Sequence, residues 1–319
     1  MASSPSPRPS DEPVTTLPSG EPIDASVRRP PSSAGAVLAA APRSADAFLC
    51  HLQRCLQTRA GADAVLLFLC YASRLTGSVL ETLSRPILRH SARRLVATAF
   101  KLPPSTTVVL SATAPQPPLA ALALRLGGRF KALSAMISET RTVGRLWGLL
   151  GLYFAAKRLL LKSCASAGKP PRRPDDEKGA EAEADRLFDT AVAYAQVASL
   201  VVFQAAENVA YLSSKKILPY PAATQYRLSL LSVRAWGLYV GMELARLLVE
   251  RSRKMTSGAA AKDADWASGW TKSFTRNLSW APLTVHWGLP GGLLPDIVVS
   301  LLAAYPATGS MLDLWRETA

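Results

Sequence analysis

One stretch of this sequence sets six large apolar residues and five cations at a spacing suited to the chemistry of a lipid headgroup. Leu119, Leu122, Leu126, Phe130, Leu133 and Ile137 are separated by 3, 4, 4, 3 and 4 residues. On a helix of about 3.6 residues per turn that spacing forms a single stripe. Arg129 falls on one side of the stripe and Arg141 on the other, with Arg125, Lys131 and Arg145 farther round. Such a helix can lie in a membrane interface, its stripe in the acyl boundary and its cations on lipid phosphates. The same stripe would also serve to cover a protein core. Gly127 and Gly128 sit mid-helix, where each costs about 1 kcal/mol relative to Ala and invites a bend.

The side chains of catalysis are sparse by comparison. The histidines are His51, His90 and His286, and His286 sits between Val285 and Trp287 as a structural histidine would. The cysteines are Cys50, Cys55, Cys70 and Cys164, without a CxxC pair or the second ligand pair that a metal site with His51 would need. They read as thiols of a reducing compartment. GLPGGLLP at 288–295 is glycine-rich but carries neither the Lys nor the Ser/Thr of a phosphate loop, and no nucleophile elbow or HExxH occurs. The expectation is a protein that is not an enzyme and takes no cofactor or metal.

The elements that must position the stripe are helical and unusually apolar. Of the 319 residues, 49 % are apolar and only 19 % charged, against about 25 % charged in an average soluble protein. The net charge is +14 and the mean hydropathy +0.13. A basic surplus suits nucleic acid or anionic lipid. Zinc-finger spacing, an RNP motif and aromatic-interleaved basic tracts are missing, so the reading is an anionic phospholipid membrane and no nucleic acid.

Residues 1–43 read as a disordered Pro/Ser-rich tail. Residues 44–168 form an N-terminal helical region containing the amphipathic helix 119–145, and 169–184 a polar linker. Residues 185–319 form a C-terminal helical membrane region. Helix 44–60 should close at Gly61, with Asp63 capping the next. The uncharged run 64–72 is too short to span a bilayer, which needs about 20 residues, and Pro86 should break or kink the helix beyond Leu83. No turn signal separates the amphipathic helix from the uncharged segment 146–156, so one continuous helix is expected over 119–162. The run 190–206 is of borderline spanning length, with Gln196, Gln204 and Asn208 turned to a bundle. The best span is 289–312, interrupted only by Asp296 and tolerant of Pro306. Gly144-x-x-x-Gly148 and Gly237-x-x-x-Gly241 are candidate oligomer contacts.

Four segments, in order, resemble the peroxin-11 family, most closely its fungal C-type branch. LCHLQRCLQTRAGADAVLLFLCYASRLTGSVLETLS (49–84) resembles the family's N-terminal helices, and ISETRTVGRLWGLLGLYFAAKRLL (137–160) its central helix. AENVAYLSSKKIL (206–218) resembles its mid-chain segment, and WAPLTVHWGLPGGLLPDIVVSLL with DLWRETA (280–319) its C-terminal membrane segment. The resemblance covers about residues 45–319. It implies a peroxisomal membrane protein that elongates and divides peroxisomes by inserting an amphipathic helix into the cytosolic leaflet. It also implies self-association and work with dynamin-type fission machinery. Two other functions stay open: a metabolite pore lined by Gln196, Gln204, Glu207 and Asn208, and a helical adaptor that does not insert.

Overall fold

The computed structural model describes residues 34–101, 103, 117–167, 177–256 and 264–319. Among them the chain is all-α, with eight helices and no strand. They are α1 (Ala34–Leu56), α2 (Arg59–Ala99), α3 (Pro118–Arg145), α4 (Gly148–Ala167), α5 (Glu177–Ser214), α6 (Ala222–Thr256), α7 (Ala264–Gly288) and α8 (Asp296–Glu317). The chain divides between Gln53 and Arg54. The first unit holds most of α1, on which Phe48 and Leu49 are exposed. α1 begins ten residues before the expected start at 44, so 34–43 are helix rather than disordered tail, while residues 1–33 lie outside the described residues.

Residues 54–319 form the second unit. Its helices neighbour one another in the order α4, α5, α6, α7, α8, α2, α3, and α3 also touches α5. The linker is therefore not a seam: α2 packs against α8 from the far end of the chain. Residues 168–176 lie outside the described residues, while the rest of the expected linker is already the first turns of α5.

α2 begins one turn earlier than expected. Thr58 is its N-cap, its Oγ1 accepting from the Gly61 amide at 3.0 Å. Gly61 thus lies inside the first turn rather than closing α1, and Asp63 is free to point at another helix. Pro86 does not break the helix, which runs unbroken for 41 residues. Pro282 and Pro306 likewise lie inside α7 and α8, a tolerance usual where neighbouring helices and hydroxyls satisfy the freed backbone groups. α2, α5 from Glu183 to Ser214, and α8 are each long and apolar enough to cross a membrane. The run 64–72 was too short only when read alone; α2 carries it well past both ends. α8 starts at Asp296 rather than at Leu289, which puts that carboxylate on the first turn, where the helix dipole favours it.

α3 and α4 are two helices, not one. The Leu146 amide bonds the Val143 carbonyl at 3.1 Å, tightening the last turn, and the Asn208 side chain donates to the Leu146 carbonyl at 3.1 Å. That carbonyl would otherwise continue the helix. The partner is 62 residues away, so no local signal marks the break.

Small residues make the interior. Among the described residues, seven of the sixteen buried apolar ones are alanine and eight of the eleven buried polar ones are serine, while leucines on α2, α3, α4 and α8 face outward. Large side chains gather inside chiefly in one cluster: Leu283 and Val299, with Tyr71, Trp280 and Trp287 against them. Trp236 lies 5.3 Å from Trp280 and 6.2 Å from Trp287, ring centre to ring centre. Large outside and small inside inverts the pattern of a protein folded by water. It is the arrangement of helices that meet in lipid, where close backbone approach replaces hydrophobic burial. These helices are compatible with a membrane location.

Candidate membrane-contacting surface

The apolar stripe of α3 runs along the edge of the α2–α3 contact. Leu119 is 76 % exposed, Leu122 54 % and Leu133 40 %, Leu126 and Phe130 are half-buried, and Ile137 is buried at 7 %. Met136 and Val143, also exposed, widen the outward apolar face. Five of the six stripe residues therefore have surface to offer; Ile137 is packed inside.

The face that α3 turns to α2 is small and polar. Asp63 meets Arg141, Cys70 meets Ser134, and Gly77 meets Gly127. Each step is seven residues up one helix and seven down the other. Ser84 and Ala120, both buried, fall at the next step of the same register. Seven-residue spacing is that of helices pairing at a small crossing angle. At the third step a Cβ added to Gly77 would sit 2.8 Å from the Gly127 carbonyl oxygen, and one added to Gly127 3.2 Å from that of Gly77. Only two glycines allow the backbones this close.

Of the five cations beside the stripe, Arg125 and Arg129 are exposed. The other three hold carboxylates of the chain. Arg141 binds Asp63 through two nitrogens at 2.9 and 3.2 Å, and Arg145 binds Glu207 at 2.9 and 2.7 Å. Lys131 bridges Glu81 at 2.7 Å and Asp296 at 2.6 Å, and Asp296 also accepts from Arg74 at 2.8 Å and Ser78 at 2.9 Å. α2, α3 and α8 are thus tied at one polar knot. Burial works to lower the Lys131 pKa, but its bonds to Asp296 and Glu81 outweigh that and raise it. At the far end of α3, hydrogen bonds from Lys215 and then Tyr211 pull the Glu139 carboxyl below its usual range. Lys131, Arg141 and Arg145 are positioning residues of the bundle in this structure, which leaves Arg125 and Arg129 as the exposed members of the five.

The two glycine pairs divide in the same way. A Cβ on Gly148 would meet the Gln204 side chain at 2.7 Å and one on Gly237 the Thr284 hydroxyl at 3.1 Å, whereas a Cβ on Gly144 or Gly241 would find nothing described within 4 Å, although Arg59 donates to the Gly144 carbonyl. Gly148 and Gly237 are contacts within the chain. The break after Arg145 also denies Gly144 and Gly148 a common helix face.

Gln196, Gln204, Glu207 and Asn208, read as a polar path, are tied to other groups. Gln196 donates to Glu243 at 2.8 Å, Gln204 to Asn208 at 2.7 Å, Asn208 to Leu146, and Glu207 holds Arg145. A cleft of about 860 Å³ instead opens between α2, α3, α5, α7 and α8, walled by Tyr71, Arg74, Lys131, Ser138, Tyr211 and Trp287 among others. Carboxylate partners for the α3 cations were the feature that sequence reading missed. The seven-residue recurrence of Cys70, Gly77 and Ser84 against Gly127 and Ser134 is the signal that would have exposed the pairing. No group of three or more His, Cys, Asp or Glu that could hold a metal occurs among the described residues. No family model, no curated protein and no solved structure matches the chain.

Proposed function

We propose that this chain is a peroxisomal membrane protein that bends and elongates its membrane, promoting peroxisome proliferation and fission. The observation that carries the membrane part is the inverted packing: Leu119, Leu122 and Leu133 exposed on α3 while glycine, serine and alanine fill its contact with α2. The peroxisomal part rests on the four-segment resemblance to the peroxin-11 family. Leu119, Leu122, Leu126, Phe130 and Leu133 act as the wedge, with Arg125 and Arg129 on acidic headgroups. A leucine fully taken into the acyl boundary contributes about 1.5–3 kcal/mol, reduced by the ordering it imposes. Area added to one leaflet favours positive curvature. Self-association, for which Gly144 and Gly241 leave room on their Cβ sides, and work with dynamin-type fission machinery belong to the same reading.

The test is electron microscopy of the full chain reconstituted in vesicles of phosphatidylcholine and phosphatidylserine. Tubules are expected with the natural chain and rounded vesicles with the Leu122→Asp, Leu133→Asp double variant. Round vesicles with the natural chain overturn the remodelling role. A tagged chain that avoids peroxisomes overturns the localisation.

A second reading, a pore for small polar solutes, draws on the 860 Å³ cleft and its Arg74, Lys131 and Ser138 walls. Planar-bilayer conductance separates the two: a correctly inserted but silent chain removes it.

A further inference from the structure

We propose that α4 is a second membrane-contacting helix, separate from the α3 stripe, whose outward face lies in the headgroup–acyl boundary of an acidic bilayer. The proposal rests on the membrane reading above but not on membrane bending. On α4, Leu150, Tyr153, Phe154, Leu160 and Leu161 are 58, 59, 50, 56 and 60 % exposed. Their spacing, with Lys157 between, places them on one side of the helix. The opposite side is occupied: Leu152, Ala155, Ala156 and Leu159 are half-buried, Ser163 shares a 2.9 Å hydrogen bond with Tyr194 of α5, and Gly148 abuts Gln204. The outward residues are therefore not waiting to fold onto α5.

Charge identifies the occupant. α4 contains no Asp or Glu, and Lys157, Arg158 and Lys162 fall within six residues of one another. A second copy would bring another all-cationic helix to this face; acidic phospholipid brings the opposite charge. The same three cations, set in the body of a twenty-residue helix, oppose a crossing. α4 is not among the three span-capable helices. A helix with a wide apolar face, a tyrosine on it and, in Lys157, a side chain long enough to reach a phosphate suits the plane of the interface.

The test uses the full chain reconstituted in phosphatidylcholine vesicles with and without phosphatidylserine. Single reporters are placed by Leu150→Cys, Phe154→Cys, Leu161→Cys and, for α3, Leu133→Cys, with Cys50 and Cys164 changed to Ser, each carrying an environment-sensitive fluorophore. Blue-shifted emission from the three α4 positions, quenching by nitroxide held near the headgroups, shielding from aqueous iodide and a larger effect with phosphatidylserine are expected. Water-like emission and open iodide quenching at all three overturn the proposal, whatever Leu133→Cys reports; blue shift at α4 without vesicle tubules leaves it standing while bending fails. The Cys50→Ser chain, with Cys164 kept, supplies a second measurement. Its exposed Cys164 should react with a water-soluble maleimide more slowly in phosphatidylserine vesicles than in detergent. An unchanged rate, or ready cross-linking of Cys164 between two copies, counts against lipid as the occupant.

Discussion

Gly77 and Gly128 lie on neighbouring helices and carry opposite consequences. At Gly77 an added methyl runs into the Gly127 backbone at 2.8 Å; around Gly128 nothing described lies within 4 Å. Gly77→Ala should therefore cost about 1–3 kcal/mol through overpacking, although alanine is the better helix former. Gly128→Ala should add stability of about 1 kcal/mol from helix propensity alone. Thermal melts of both variants in the same detergent check the contrast, and equal shifts would mean that α2 and α3 do not meet here. Glu243 gives a pH dependence of known sign. The Arg246 hydrogen bonds lower its pKa against the effect of burial, with Gln196 adding to them. A carboxyl depressed in the folded state contributes stability that is complete above the ordinary glutamate value and is lost as pH falls through the folded value. The melting temperature should drop on acidification below that ordinary value, and Glu243→Gln should flatten this part of the profile. A profile unchanged by the substitution would assign the acid sensitivity to other carboxylates.

At the scale of elements, the α3–α4 break follows from one side chain on α5. Asn208 takes the Leu146 carbonyl, and Glu207 beside it holds Arg145. Removing the amide should let that carbonyl rejoin the helix ladder. In Asn208→Leu, spin labels at positions 136 and 154 should move apart toward the roughly 27 Å of an uninterrupted helix. A distance distribution identical to that of the natural chain would place the cause of the break in Gly148 instead. The break has a consequence for the surface. α3 ends at Arg145 and α4 starts at Gly148, so their outward leucines need not share one face.

For the molecule as a whole, the ties that matter run between sequence-distant helices. Asp296, on the first turn of α8, holds Arg74 of α2 and Lys131 of α3. Asp296→Asn should lower the melting temperature and speed proteolysis at the C-terminal end of the chain, because two cations lose their shared counter-charge. An unaltered digestion pattern would mean that small-residue packing along α2 suffices to hold α8. With three helices long and apolar enough to cross a membrane, the natural chain should stay in the pellet after alkaline carbonate extraction. Release into the supernatant would revive the adaptor that does not insert.

Composition and periodicity were enough to settle the helical class and the apolar character of the chain, because both are local properties: leucine and alanine abundance, sparse charge, and a stripe repeating every 3.6 residues. They could not say which side of α3 faces protein. A rule learned from water puts leucines inside, whereas here the inward side is Gly127, Ser134 and paired charge, a choice made by α2 at the opposite end of each contact. For the same reason Lys131, Arg141 and Arg145 read as lipid-facing cations until Glu81, Asp296, Asp63 and Glu207 were seen beside them. The end of α3 was equally hidden, since the group that stops it is 62 residues away. Local sequence determines which residues form helices and how greasy they are; the partner of each helical face is a long-range property, decided only when the backbones come close enough for glycine, serine and ion pairs to select one another.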